Sequence, residues 1–444
     1  MILVMAAGAG VSIGNLYFCQ PLLAEMARTF SVSEHAIKWV PALTQLGAAL
    51  GIMFIVPLGD VMERRSLTVR VTVVLSLAAM LMALSPSYIC LAVASMLLGF
   101  ACCVPHLILP IAILLAPVEQ SGRVIGTVMS GLLIGILAGR TVAGFVGGTL
   151  GWRTVYWLAA AVTMTIAWLI RHELPECHSA EPKITYLGLL ASAIGLFRDR
   201  RLRAWGFIGG MMFGAFNAFW TTLVFLLGTA PYHYGARMAG ALGILAVASA
   251  AAAPIMGKIV DRYSARFGVG CSIVLLLTSF LVLYGIGFHL WGLALGIVLL
   301  DVSAQSGHIA NLSRVYGTFV DARSRAGMAY MMCFFMGGSL GSFLGGWGWV
   351  HFGWAGVCLA GSSMVLAALF VHFRSSVEGI RQPSPSQEPS VSYDTRQINS
   401  SRWNMCVDEQ SYIETGISVA RNVPLHSRRD KIRVKINLQL SEHN

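Results

Sequence analysis

The chain has 444 residues, of which 56% are hydrophobic and only 11% are charged. Soluble proteins carry roughly 25% charged residues, so this composition excludes a soluble enzyme or a nucleic-acid-binding module as the main body; it points to a bilayer protein with several spans. The net charge is +11, and because residues 374–444 hold ten Lys and Arg against eight Asp and Glu, most of the basic excess lies in the apolar body before them.

Apolar stretches recur near residues 3–26, 36–58, 67–87, 88–116, 124–148, 152–171, 204–227, 236–258, 268–288, 290–312, 326–349 and 352–373. A helix needs roughly 20 apolar residues to cross the hydrocarbon core, which predicts an all-α membrane protein with twelve transmembrane helices. The first stretch leads straight into further apolar sequence, so it reads as a span and not as a cleaved signal. One set of loops carries Arg64, Arg65, Arg123, the segment from Arg171 to Arg203, Lys258, Arg262, Arg266, Arg314, Arg323 and Arg325; the other offers little beyond Arg28, Lys38, Arg153 and Arg237. The positive-inside rule makes the first set cytoplasmic and puts both termini inside the cell membrane, a bacterial inner membrane being expected.

Within residues 172–203 a polar link is followed by Ile184–Phe197, which is too short to span and ends in charge; a helix on the membrane surface is expected there. It divides the spans into bundles over residues 1–171 and 204–373. Pro383, Pro385 and Pro389 mark residues 374–444 as a disordered cytoplasmic tail. Cys19, Cys102, Cys103, Cys271, Cys333 and Cys358 lie inside apolar runs and read as small buried hydrophobes.

The two halves repeat. Asp60 and Arg65 recur as Asp261 and Arg266 after 201 positions; Gly135, Gly139 and Gly144 recur as Gly337, Gly341 and Gly346 after 202, as does Gly151-Trp152 in Gly353-Trp354. Asn15 pairs with Asn217 and His106 with His308. A shared frame of polar residues and glycine implies two related six-helix bundles, an architecture that places a substrate site between the repeats near mid-membrane.

These residues carry a resemblance. Gly59-Asp60-Val61-Met62-Glu63-Arg64-Arg65 is similar to the G-x-x-x-D-R-x-G-R-R/K signature of the major facilitator superfamily, with Val61 where Arg is usual and Glu63 where Gly is usual. Gly257 to Arg262 repeats its opening half. Within that family the chain resembles drug/proton antiporters and sugar-efflux-like permeases: Gly135, Gly139, Arg140, Ala143 and Gly144 follow the antiporter pattern G-x-x-x-G-P-x-x-G-G, with Arg140 at the proline position, and Gly337, Gly341, Ser342, Gly345 and Gly346 repeat it. Small residues at this spacing let helices approach closely. The family's embedded fourth-span Arg would fall near Ser95. The resemblance implies a conformational latch at Asp60, Arg64, Arg65, Asp261, Arg262 and Arg266, built from charge-assisted hydrogen bonds. It also implies a cavity lined by the first, fourth, seventh and tenth spans.

Arg140 is the sharpest single signal, because an Arg at mid-bilayer costs at least about 2.5–3.5 kcal/mol. It either snorkels outward or faces a central cavity. Asp301, Gln305 and His308 share one helical face and form a candidate proton relay, with Gln305 or water as the bridge, or a structural polar cluster. Asn15, Tyr17, Gln20, Asn217, Trp220 and Thr221 are candidate cavity residues suited to a ligand of mixed polarity. Gly8 to Gly14 mimics a dinucleotide fingerprint but lacks a strand–helix–strand context, and Pro175 breaks the His172, Glu173, Cys177, His178 group, so no cofactor and no metal are expected. The reading is a monomeric transporter, not an enzyme, that works on a small-molecule substrate within the lipid bilayer, coupled to protons and exporting small organic molecules, with no nucleic-acid partner. A metabolite importer on the same fold and a non-transporting receptor or scaffold are the alternatives.

Overall fold

A computed structural model describes residues 1–116, 121–176, 185–246, 255–256 and 262–379. Among them the regular structure is entirely helical. Before the linker come α1 (Ile2–Asn15), α2 (Cys19–Thr29), α3 (Glu34–Ile37), α4 (Trp39–Phe54), α5 (Arg64–Leu84), α6 (Tyr88–Ala101), α7 (Val104–Leu115), α8 (Ser121–Leu150) and α9 (Trp152–Glu173). After them come α10 (Tyr186–Leu196), α11 (Arg200–Gly228), α12 (Ala236–Gly243), α13 (Ala265–Ile286), α14 (Leu290–Thr318) and α15 (Arg323–Gly379). Ten helical stretches among the described residues are long and apolar enough to cross a membrane. Helices satisfy their own backbone groups, the requirement that hydrocarbon imposes. Their outward faces are apolar: Leu77, Ile89 and Phe370 are all more than half exposed.

Two expected spans are each broken in the middle. The stretch near 3–26 divides at Leu16–Phe18 into α1 and α2, and that near 88–116 divides at Cys102–Cys103 into α6 and α7. Proline explains both. Pro21 and Pro105 have no N–H for the carbonyl four residues earlier, on Tyr17 and Ala101, so the helical ladder is interrupted there. The expected spans near 326–349 and 352–373 appear as α15, interrupted at Gly353. Gly353 has φ 58°, ψ −144° and Gly151 has φ 85°, ψ 154°, a region in which only glycine is at ease. The tryptophan after each glycine is buried and anchored: Trp152 Nε1 donates to Thr29 Oγ1 at 3.0 Å, and Trp354 Nε1 to the Leu283 carbonyl at 2.9 Å. Of the expected span 236–258, only Ala236–Ala246 and residues 255–256 are described.

The helix expected at 184–197 is present as α10. Its Tyr186 hydroxyl donates to the Phe54 carbonyl at 2.9 Å, and its Ser192 accepts from Arg325; one short helix therefore touches elements from both sequence halves. The last helix runs past Phe373 to Gly379, and the remainder of the expected tail lies outside the described residues. Two expectations are corrected. Cys271 is exposed and Cys333 only half-buried, because an apolar run places some residues on the outer face. Lys38, expected in a loop, is fully buried at the junction of α3 and α4. Its Nζ lies 4.4 Å above the Phe343 ring, where an aromatic face takes the place of water.

Candidate functional site

The glycines predicted to pack helices sit in seams. A Cβ on Gly139 would lie 2.8 Å from the Gly14 carbonyl oxygen, and Gly135 meets Gly10 still more closely. The same seam recurs between α11 and α15, where Gly337 and Gly341 lie against Gly210 and Gly214 and Gly345 against Ala218. Main chains thus touch without intervening side chains. Towards the Arg-poor end, Gly144 leaves the seam and meets α12: its Cβ would lie 2.6 Å from both the Ala236 carbonyl oxygen and Gly240 Cα.

These close approaches fix the register of the polar side chains next to them. Directly after Gly139 in the seam, Arg140 points inward and is 1% exposed; it does not snorkel. Its Nε donates to Gln20 Oε1 at 2.9 Å. Its guanidinium is enclosed by aromatic faces, 4.0 Å from the Trp220 ring centroid, 4.6 Å from Tyr17 and 5.0 Å from Phe216. Each face contributes cation–π attraction in place of water. Gln20 passes the network on: its Nε2 donates to Asn217 Oδ1 at 3.2 Å, which also accepts from Gln45 Nε2 at 3.2 Å. Arg140, Gln20, Asn217 and Gln45 therefore form one buried polar chain across α8, α2, α11 and α4, spanning both sequence halves. Ser342, the repeat partner of Arg140, accepts from Thr221 Oγ1 at 3.0 Å. The second half thus has a short neutral group where the first half has an arginine.

Asp301 lies at the edge of the Trp220 indole. It is 2% exposed, and its Oδ1 accepts from the indole Nε1 at 3.3 Å. Among the described residues Arg140 Nη1, Arg140 Nη2 and Asp301 Oδ2 have no hydrogen-bond partner. The opposite charges are set on the face and the edge of one indole. A cavity of about 10 Å³, room for roughly one water, touches Arg140, Gln20 and Trp220.

The other candidates fall elsewhere. Asn15 Nδ2 donates to the Val11 carbonyl at 2.8 Å and to Thr163 Oγ1 at 3.4 Å, and its repeat partner Asn217 likewise donates to the carbonyl four residues back, at 3.0 Å from Phe213. His308 Nδ1 is 3.3 Å from the Tyr330 hydroxyl, with its ring 4.5 Å from Phe334. Gln305 is half-buried, and no hydrogen bond joins it to Asp301 or His308 among the described residues. At the Arg-rich end Arg64 Nη2 donates to Asp60 Oδ1 at 2.9 Å, and Arg65 reaches α9's end through the Leu174 carbonyl at 3.1 Å and Glu176 Oε1 at 2.7 Å. Glu63, at the usual glycine position, caps α5 by accepting from the Arg65 and Ser66 N–H groups. Asp261 lies outside the described residues; Arg262 and Arg266 are exposed. Gln45 and Phe216 were not among the sequence candidates. A lone amide in the apolar run of α4 was the available signal for Gln45; Phe216 carried none, since an aromatic residue in a span reads as packing.

At the Arg-poor end the sequence halves touch directly. Trp349 Nε1 donates to Glu34 Oε2 at 2.6 Å, and the Trp39 and Phe343 ring centroids are 4.9 Å apart. The model of the Major Facilitator Superfamily matches residues 5–342 and 241–425. The chain belongs to the major facilitator superfamily. Among relatives in this superfamily, an uncharacterized transporter, YgaY, of Escherichia coli O157:H7 is 36% identical over 84% of this chain and 95% of its own length. An uncharacterized MFS-type transporter, YybF, of Bacillus subtilis (strain 168) is 26% identical over 80% of this chain and 88% of its own. Solved superfamily structures share the fold: the nucleoside transporter NupG superposes with a TM-score of 0.66 at 15% identity, covering 86% of this chain and 99% of NupG. A bacterial homologue of human Spinster, in an inward-facing and occupied conformation, also gives 0.66, at 14% identity over 87% of this chain and 98% of that one. The protein is thus a multi-pass membrane transporter of the superfamily type.

Proposed function

We propose that the protein is a proton-coupled secondary transporter that exports small organic molecules from a bacterial cell by alternating access. In this reading twelve spans form two related bundles, residues 1–171 and 204–373, joined by the segment 172–203, with both termini in the cytoplasm. The two bundles rock about a site at mid-membrane. The observation that carries the proposal is the buried chain from Arg140 through Gln20 and Asn217 to Gln45, with Asp301 at the edge of the Trp220 indole. A scaffold that only needed stability would not retain an isolated arginine and an isolated carboxylate at such desolvation cost. The contacts Trp349–Glu34, Trp39–Phe343 and Gly144–Gly240 support a state closed at the Arg-poor end. Asp301 is the group through which a proton would bias the two states, and one charge moved through 100 mV supplies roughly 2.3 kcal/mol.

The test is flux in reconstituted vesicles, with a solute panel measured with and without an imposed pH gradient. Gradient-driven flux is expected for the intact chain, and Asp301→Asn should lose acceleration by the gradient. Unchanged gradient-driven flux in Asp301→Asn would remove that residue from coupling, and the absence of flux for every solute would remove the transporter proposal.

A further inference from the structure

Resting on the transporter reading, we infer that the polar groups around Trp220, in a state wider than the cavity of about 10 Å³ beside Arg140, are arranged for a compact zwitterion carrying one carboxylate and one ammonium group, of the amino-acid type.

Arg140 and Asp301 are 1% and 2% exposed, yet they form no ion pair with each other. Burying two opposite charges is costly, and direct contact is the usual way to recover that cost. Instead both contact one indole, the guanidinium over its face at 4.0 Å and the carboxylate on its Nε1 at 3.3 Å. Each charge keeps an unpaired end: both Nη atoms of Arg140 and Oδ2 of Asp301.

The shape of each end specifies its complement. The guanidinium faces are covered by Trp220, Tyr17 and Phe216, and Nε is committed to Gln20, so only the end-on fork of Nη1 and Nη2 remains. Two parallel N–H groups in one plane match a carboxylate. An unpaired carboxylate oxygen accepts from an ammonium, which supplies three donors. Net charge then decides between ligand classes. A monocarboxylate would leave Asp301 Oδ2 bare and place a net negative charge in a dry site. A monoamine would leave both Nη atoms bare and place a net positive charge there. A zwitterion occupies all three unpaired atoms and leaves the charge at zero. The aromatic groups around the guanidinium offer apolar surface for the rest of the molecule. A proton arriving at Asp301 would compete with the ligand's ammonium for the same oxygen, which is the exchange an antiporter requires.

The experiment measures equilibrium binding by calorimetry to the full chain in lipid nanodiscs. Two matched sets are used: phenylalanine with 3-phenylpropionate and 2-phenylethylamine, and leucine with 4-methylpentanoate and 3-methylbutylamine. Loss of a hydrogen bond to a buried charge predicts that a zwitterion binds at least about tenfold more tightly than either of its half-ligands. Arg140→Gln should bring the zwitterion down to the level of the amine, and Asp301→Asn to that of the carboxylate. Arg140→Lys and Asp301→Glu should restore part of the preference, which separates lost recognition from lost folding. A carboxylate or an amine binding as tightly as the zwitterion overturns the inference, as does the absence of binding by all six probes. Counterflow in vesicles distinguishes this failure from failure of the transporter reading: exchange of half-ligands or of unrelated solutes without zwitterions sinks only the inference, whereas no exchange of any solute sinks both.

Discussion

Substituting Gly144 by alanine tests whether main-chain contact holds the Arg-poor end closed. The new Cβ would lie 2.6 Å from the Ala236 carbonyl oxygen and from Gly240 Cα. Ordinary contact begins at 3.4 Å, so α8 and α12 must part by about 0.8 Å. Both obstacles are backbone, so no side chain can yield. Overpacking of this kind costs about 1–3 kcal/mol. If that cost falls only on the closed arrangement, the fraction of open molecules rises roughly 5–150-fold, at 1.4 kcal/mol per tenfold. Cys19 is a natural reporter, being 2% exposed and next to Gln20. Its modification by a water-soluble maleimide, followed site by site with mass spectrometry, should accelerate by that factor. Gly122→Ala on the same helix is the control, since a Cβ there meets nothing within 4 Å. Equal Cys19 labelling and equal thermal stability in the two variants would refute the reasoning.

Other substitutions probe features that the same geometry implies. Gly151→Ala and Gly353→Ala should each cost about 1–3 kcal/mol through backbone strain, read as a lowered melting temperature against Gly228→Ala; equal melting temperatures would contradict the positive-φ assignment. Trp349→Phe removes the 2.6 Å hydrogen bond to Glu34 while keeping most of the ring, and should speed amide exchange in α3 and the start of α4; unchanged exchange would mean that this contact does not restrain them. Arg65→Ala loses both the Leu174 carbonyl and Glu176, so it should destabilise more than Glu176→Ala, whose partly exposed ion pair is worth less than about 1 kcal/mol. Equal losses from the two variants would assign the whole effect to the ion pair.

The sequence made some of this architecture legible and hid the rest for physical reasons. A charge inside an apolar run is conspicuous because lipid penalises it, so Arg140 and Asp301 stood out. The repeat was visible in glycines, because backbone contact admits no other residue, and the two Gly-Trp pairs reappear with the same positive φ. Partnership was not visible. That Gln20 joins Arg140 to Asn217, or that Trp220 contacts both charges, depends on how helices distant in sequence are rotated against each other. Lys38 read as a loop residue because a lysine at a span's end ordinarily reaches water; only the tertiary structure brings the Phe343 ring over it. The breaks after Asn15 and Ala101 were encoded by Pro21 and Pro105, yet spans tolerate proline often enough that apolar length alone hid them.

The repeat is not kept evenly where its halves meet. On one side Gly144 rests on Gly240, main chain against main chain; on the other, Gly346 rests on the aliphatic stem of Lys38, with a Cβ there 2.6 Å from Lys38 Cβ. The first is a bearing without play, since neither surface can deform. The second has a four-carbon cushion whose torsions can absorb displacement. In the rocking motion proposed above, unequal supports do not part symmetrically: we expect the Lys38 side to yield first and the glycine contact to part last.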